Sequence, residues 1–252
     1  VVEVVTWALD CDLFVIINAH HEDWLVDQCN ANHRKMFRNI WRKIAARFQG
    51  YSNRLFFEVL NEARPPMDAG ACNDVNAEVL SIIRETNPTR LVLLGGPQWN
   101  GHKAVTSLAV PRDPYVMINF HYYSPHSFTH GDQPTWGFRA DDAVDQVAWD
   151  LVWNDIKSVA EWGQSHNVPL FCGEFGVMQN NPDKAKKKDR AVQCWYKAVT
   201  EALVHYGIPF TVWDDGGWFR IFDRHEKTFQ SSRVHATIMA VNPSPPVNAV
   251  TG

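Results

Sequence analysis

The chain reads as an α/β protein built on a parallel sheet, and three observations carry that reading. Apolar runs of strand length (Leu13 to Ala19, Leu55 to Leu60, Leu91 to Leu94, Tyr115 to Phe120, Pro169 to Gly176, Ile208 to Trp213) alternate with helical stretches. The runs are continuously apolar rather than alternating, as strands buried on both faces require. Polar residues suited to chemistry collect at the carboxyl ends of these runs, which favours a (β/α)8 barrel of TIM type over an open sheet. Only about six βα units are legible, against the eight of a complete barrel.

The elements follow in order. Val1, Val2, Val4, Val5, Ala8 and Leu9 form an apolar helical stripe with no capping residue before it. Leu13 to Ala19 is the first strand and ends at His20-His21. Phe37, Ile40, Trp41, Ile44, Ala45 and Phe48 keep i, i+3, i+4 spacing and predict a helix over Arg34 to Phe48. Leu55 to Leu60 runs into Asn61-Glu62 before a Pro-rich break, so that dyad stands at a strand mouth. Val75, Val79, Ile82 and Ile83 mark the next helix, which Asn87-Pro88 closes. Leu91 to Leu94 ends at Gly95-Gly96, and a short connection through Trp99 and Gly101 leads to the strand that delivers His121 and Tyr123. A long insertion follows, Ser124 to Asp142, of the length and composition that usually mark functional or mobile loops. Helix over Val144 to Ser165, the strand carrying Glu174, helix over Lys184 to Tyr206, strand Ile208 to Trp213 and helix Val234 to Val241 complete one domain, 1–241. Residues 242–252, with three prolines, read as a disordered tail or the start of a linker.

Bulk properties narrow the function. With 24 basic against 28 acidic residues, the balance argues against a nucleic-acid partner. No apolar run has the length of a membrane span, and the first residues lack a signal peptide, so either the protein is cytosolic or an export signal lies upstream. The five cysteines show no metal-ligand spacing. Cys172 and Cys194 read as small buried hydrophobes, and Cys29 and Cys72, both in polar sequence, are the one pair suited to a disulfide. Eleven tryptophans are unusual; most belong to the core, but indole faces also stack on sugar rings.

Glu62 and Glu174, each at a strand mouth, have the character of a glycosidase carboxylate pair. His20 and His21 are a poor chelate, because neighbouring strand residues point to opposite faces; sugar-hydroxyl contact is a better reading than a zinc site. No cofactor or metal is expected.

Five segments, IINAHHEDW from Ile16, FEVLNE from Phe57, FHYYSPHSFTH from Phe120, FCGEFG from Phe171 and VWDDGG from Val212, together resemble glycoside hydrolase family 5, the cellulase-type retaining enzymes with a (β/α)8 barrel. They run in the family's order over nearly the whole chain. The resemblance implies that Glu62 is the acid/base and Glu174 the nucleophile of a secreted endo-β-1,4-glucanase, with possible action on mannan or mixed-linkage glucan. It implies that Asn61 bonds the sugar 2-hydroxyl, that Tyr123 holds the nucleophile with His121 beside it, and that Trp213 floors the scissile-sugar subsite, often with a cis peptide after it. His130 and Trp136 are further sugar-contact candidates that would serve equally to pack the insertion down.

The chain departs from the family in two places. Ala63 stands where a proline usually follows the Asn-Glu dyad. The strand bearing an arginine that supports the nucleophile is absent, which leaves Arg64 and Arg220 as stand-ins and weakens the hold on an ionised Glu174. A catalytically impaired glycan-binding barrel is therefore the alternative to an active enzyme, and a histidine-based metal hydrolase is a third reading. Unpaired barrel edges at Leu13 to Ala19 and Ile208 to Trp213 predict a homo-oligomer.

Overall fold

Alternation of helix and strand is borne out in the computed structural model, which describes residues 1–241; the Pro-rich tail lies outside the described residues. Helix α1 (Val2–Asp10) leads to β1 (Val15–Asn18), and a short helix α2 (Asp23–Asp27), unforeseen in the sequence, precedes α3 (Ala31–Arg47). Then come β2 (Leu55–Glu58), α4 (Ala69–Thr86), β3 (Val92–Gly95), a 3-10 turn over His102–Ser107 and β4 (Val116–Tyr122). The insertion holds α5 (His126–Thr129) and hands over to α6 (Gln146–Ser165), β5 (Leu170–Phe175) and α7 (Asp189–His205). A two-stranded hairpin, β6 (Phe222–Asp223) with β7 (Thr228–Phe229), and α8 (Ser232–Met239) close the described chain. Five strands form one sheet in the sequential order β1-β2-β3-β4-β5, the α/β architecture of a partial (β/α)8 barrel.

Two compact units divide the chain: Val1–Phe120 with Gly163–Phe171, and His121–Trp162 with the residues from Cys172 on. In the first unit the register pairs Asn18 with Glu58, Glu58 with Leu93 and Gly95 with Asn119, all parallel. The core lies where α3 and α4 cover these strands. Trp41 of α3 is fully buried and donates its indole N–H to the Val59 carbonyl at 3.1 Å, so an apolar side chain also satisfies a strand acceptor. Phe57, Leu55, Val79 and Ile83 are equally dry, and burial of each such side chain contributes about 1.5–3 kcal/mol. Helix starts are fixed locally: Asn30 caps α3 by accepting from His33 N–H at 3.0 Å, and Asp68 caps α4 through Ala71 N–H at 2.8 Å.

In the second unit, α7 buries Ala191, Trp195, Ala198, Ala202 and Leu203, which helical spacing places on one face, and also Tyr196 and Val199 beside it. The sixth predicted strand is shorter than expected. Cys172 N–H donates to Pro209 O, Thr211 N–H to Cys172 O and Trp213 N–H to Phe175 O, a parallel pattern beside β5, yet it yields only an isolated bridge at Phe210. Cys29 and Cys72, the one pair suited to a disulfide, are both free thiols. Cys72 is buried on α4 and donates to the Gly95 carbonyl at 3.4 Å, and burial pushes its thiol up to about 12. Cys172 is buried as expected, whereas Cys194 is only partly so. No helix among the described residues is long and apolar enough to cross a membrane.

Candidate active site

Strand mouths in each unit gather polar residues, and each set is built by its own local chemistry. In the first unit, the Asn61 N–H donates to Ala19 O at 2.9 Å, which ties the mouth of β2 to that of β1. The Asn61 side chain is 8% exposed, and its Oδ1 has no hydrogen-bond partner among the described residues. Such an acceptor is costly to leave unfilled, so it suits a hydroxyl of a bound ligand. Glu62 follows with φ 43°, a left-handed conformation that costs an ordinary residue about 1–3 kcal/mol. That twist turns the chain sharply at the end of β2.

Beneath this turn lies a buried carboxylate that motif reading overlooked. Glu58, 6% exposed, accepts from Asn119 Nδ2 at 2.7 Å and from Asn18 Nδ2 at 3.2 Å. Asn18 in turn lies 3.3 Å from His20 Nδ1, so the network reaches the mouth of β1. A glutamate inside the apolar run LFFEVL was its signal, because a charge there needs dedicated partners. His20 is half-buried and His21 exposed; both lie beyond the end of β1, and their rings meet edge to face at 4.5 Å instead of facing oppositely as strand neighbours would.

Trp99 was read only as part of a connection. Gln98, Trp99 and Asn100 are consecutive left-handed residues with φ of 55°, 57° and 52°. They hold the indole half-exposed while Trp99 N–H donates to the Ala63 carbonyl at 2.9 Å, one residue beyond Glu62. A Cβ on Gly95 would lie 2.4 Å from the Asn100 side chain, which explains why glycine ends β3.

The second unit centres on Glu174, 9% exposed on β5. The Tyr123 hydroxyl donates to its Oε2 at 3.0 Å, and His121 Nδ1 lies 3.5 Å from the same oxygen. His121 is buried. Tyr123 packs edge to face against His130 at 4.9 Å and Phe219 at 5.8 Å, and His130 meets Phe219 at 5.0 Å. Phe219 was missed because it lies beyond the VWDDGG motif in what reads as loop.

Two aspartates hold that loop. Asp214 accepts from Gly216 N–H at 2.8 Å, Phe222 N–H at 2.9 Å, Ile221 N–H at 3.2 Å and Arg224 Nη1 at 2.9 Å. Burial alone would raise its pKa, but these donors outweigh it and hold the carboxyl below its ordinary range. Asp215 accepts from Gly217 and Phe219 N–H. Trp213 is half-buried, and the peptide after it is trans, unlike the family habit; among the described residues the cis bonds are Pro65–Pro66 and Ser124–Pro125.

Three expectations change. Trp136 is 5% exposed, with its ring between Phe128 at 6.4 Å and Trp149 at 6.1 Å, so it packs the insertion and has no face to offer a sugar. Arg64 is engaged by Asp23 at 2.6 Å and Asp27 at 2.8 Å, and Arg220 by Asp223 at 3.3 Å. Both proposed substitutes for the nucleophile's arginine are thus committed to other carboxylates.

A family model described as cellulase (glycosyl hydrolase family 5) matches residues 1–217. Endoglucanase H of Acetivibrio thermocellus is 35% identical over 240 residues, covering 93% of this chain but only 25% of that protein. A hyperthermophilic endo-β-1,4-glucanase solved in complex with substrate aligns at TM-score 0.82 and 30% identity, over 94% of this chain and 76% of that one. Thermotoga maritima Cel5A in complex with a mannotriose substrate aligns at TM-score 0.83 and 26% identity, over 94% and 76%. With strand order, strand-mouth residues and all of these matches in agreement, the chain belongs to glycosyl hydrolase family 5, the cellulase family.

Proposed function

We propose that the chain is a retaining endo-β-1,4-glucanase in which Glu174 attacks the anomeric carbon and Glu62 protonates the leaving oxygen, then activates water. The observation that carries the reading is the bond from the Tyr123 hydroxyl to Glu174 at 3.0 Å. A nucleophile must be ionised and aimed, and a phenol donor favours the ionised form while fixing one oxygen. Glu62 follows Asn61, whose open Oδ1 suits a sugar hydroxyl, an interaction that strengthens as the oxocarbenium-like transition state forms. Glucan is the preferred substrate and mannan a secondary one, in line with the glucanase and mannotriose complexes of the relatives. The protein would act on polysaccharide outside the cell.

The test has two arms. Glu174→Gln and Glu62→Gln should each lose nearly all turnover on carboxymethylcellulose, and a 2-deoxy-2-fluoro glycoside should label Glu174. A label on another residue, or an inverted product anomer, would overturn the roles. The binding-only alternative gains weight because Arg64 and Arg220 are committed elsewhere. Retention on carboxymethylcellulose without hydrolysis would establish it.

Assembly belongs to the same proposal. Strand β1 ends the sheet order, and Val1, Val4, Trp7, Leu13 and Phe14 are exposed on α1 and around the start of β1. Edge strands flanked by apolar side chains template association, so we expect a homo-oligomer. Light scattering showing one 28.8 kDa species across a wide concentration range would refute it.

A further inference from the structure

We propose that Lys187 is a positioning residue of the candidate active site: its buried ammonium pins the turn 126–134 of the insertion, and that turn holds the Tyr123 side chain on Glu174. Lys184, Lys186, Lys187 and Lys188 form a charged run ahead of α7, yet Lys187 is 4% exposed while the other three are open to water. Burying an ammonium is costly, and burial pulls its pKa below the ordinary lysine range; Asp132 acts in the opposite sense and Lys184 in the same one. An apolar side chain would fill the place without that cost, which points to a use for the charge.

The use lies in what the ammonium meets. It donates to the Gly131 carbonyl, its one hydrogen-bond acceptor among the described residues, and stands 5.7 Å from the centre of the fully buried Phe128 ring. Gly131 closes the turn: its N–H donates to His126 O at 2.9 Å, and Gln133 N–H donates to Ser127 O at 3.1 Å. A Cβ on Gly131 would lie 2.5 Å from the Ser127 carbonyl oxygen, so glycine is required at this bend. Neighbours of Lys187 grip the same turn. Lys184 Nζ lies 3.4 Å from Asp132 Oδ2, Ala185 N–H donates to Asp132 Oδ1 at 3.3 Å, and Lys188 N–H donates to Pro134 O at 2.9 Å. The Lys184 pair is exposed and contributes little, whereas the Lys187 contact is shielded from water.

The other side of the turn reaches the site. The Thr129 hydroxyl donates to Tyr123 O at 2.6 Å, and Met178 N–H, just beyond β5, donates to Thr129 O at 2.8 Å. The His130 ring packs edge to face on the Tyr123 ring at 4.9 Å. Releasing the turn therefore loosens the phenol that donates to Glu174 at 3.0 Å. Lys187 acts through Tyr123 and not on the reacting atoms. The catalytic half of the inference rests on the proposed roles of Tyr123 and Glu174; the pin itself does not.

Lys187→Met keeps the apolar stem and removes the donor, and Lys187→Gln keeps a neutral donor should the first variant fold poorly. Hydrogen exchange read by mass spectrometry on the whole chain tests the pin without any need of activity. Peptides covering 126–134 should exchange at least about tenfold faster in Lys187→Met than in the wild type, with those of β2 unchanged and Lys187→Gln between the two. Kinetics on β-1,4-gluco-oligosaccharides test the route to the site. For Lys187→Met, kcat/KM should fall by about tenfold or more, the equivalent of one lost hydrogen bond from a charged donor, and the acidic limb should move upward as for Tyr123→Phe. Combining Lys187→Met with Tyr123→Phe should give a rate within about threefold of the slower single variant, because both act on one hydroxyl; independent losses would multiply. Unchanged exchange at the turn in both Lys187 variants would overturn the pin. Faster exchange with kcat/KM within about twofold of wild type, or multiplied losses in the double variant, would overturn the route through Tyr123. A harmless Tyr123→Phe would overturn the catalytic half together with the function it rests on, and the exchange arm would still decide the pin.

Discussion

Replacing Tyr123 by phenylalanine removes one hydroxyl and little else, and its consequence follows from the geometry. The phenol donates to Glu174 Oε2 at 3.0 Å, and the carboxylate is 9% exposed. A hydrogen bond to a charged group in such a setting is worth about 1.5–3 kcal/mol. If it is made equally through the approach to the transition state, little changes; if it aims the nucleophile, kcat/KM falls by roughly 10- to 150-fold, at about 1.4 kcal/mol per decade. His121 Nδ1, at 3.5 Å from the same oxygen, is at the outer limit of a hydrogen bond and does not replace the phenol. The phenylalanine ring retains the contacts with His130 and Phe219, so folding and substrate affinity should be little altered. Removing a donor to the ionised form also moves the acidic limb of the activity profile upward. Steady-state kinetics on β-1,4-gluco-oligosaccharides of defined length, between pH 4 and 8, read both effects. A variant within twofold of wild type with an unmoved acidic limb would refute the assignment of Tyr123 as the nucleophile's support.

Arg90→Met should lower the melting temperature by about 6–20 °C: loss of a buried charged donor costs about 3–5 kcal/mol and each kcal/mol shifts Tm by about 2–4 °C. Its guanidinium, 5% exposed, donates to the carbonyls of Leu55, Tyr51 and Phe48 at 2.8, 3.0 and 3.2 Å, which methionine would leave open; a shift under 2 °C would disprove the cage. Acid stability has a stated sign. Burial would raise Glu78 and Asp113, but hydrogen bonds from Arg34 and Arg38 to the first, and from Arg84 and Tyr115 N–H to the second, win and lower both. Carboxyls depressed in the folded state stabilise fully above their unfolded values, near 4, and that contribution fades as pH falls through the folded ones. Asp113→Asn should therefore cost stability at pH 7 and flatten the decline of Tm below pH 4, and parallel wild-type and variant curves would contradict this. Asp214→Asn turns one accepting oxygen into a donor facing the N–H groups of its loop; a raised KM with a smaller change in kcat is expected, and unchanged kinetics would show that the loop holds Phe219 without it.

The order of helices and strands was legible because buried parallel strands are continuous apolar runs and the helices keep their 3.6-residue period. α7 shows the rule working, since its spacing alone identifies Trp195, Ala198 and Leu203 as inward. Failures lie where structure depends on hydrogen bonds rather than periodicity. The α2 turn, the 3-10 turn over His102–Ser107 and the β6–β7 hairpin are too short to show a period. The Ile208 to Trp213 strand had the right pattern, but only some of its residues pair with β5. Cys29 and Cys72 were singled out as a candidate pair on composition, which is blind to the direction a helix points its side chains. Once α4 forms, Cys72 faces Gly95 and the core.

Within the candidate site the same division holds, for a physical reason. Residues at strand mouths are readable because a motif and a strand end coincide in sequence, as at Asn61-Glu62 and Glu174. The groups that hold them are not, because they come from other strands and from loops after the motif. Glu58 needs amides from Asn18 and Asn119, forty and sixty-one residues away. Phe219 reaches Tyr123 only because Asp215 takes its N–H and Asp214 ties down the chain on either side. Left-handed backbone at Glu62 and through Gln98, Trp99 and Asn100 is nearly as silent in sequence, since of these residues only Asn takes it with any preference. Four such residues cost several kcal/mol together, at about 1–3 kcal/mol each, and persist only where packing overrules local preference. The Trp99 N–H to Ala63 carbonyl bond joins the two strained turns, so relaxing either one would release the other. Strain that is mutually held in this way keeps Glu62 and the exposed Trp99 indole in fixed positions before any ligand arrives, and loop propensity alone would have left both turns relaxed.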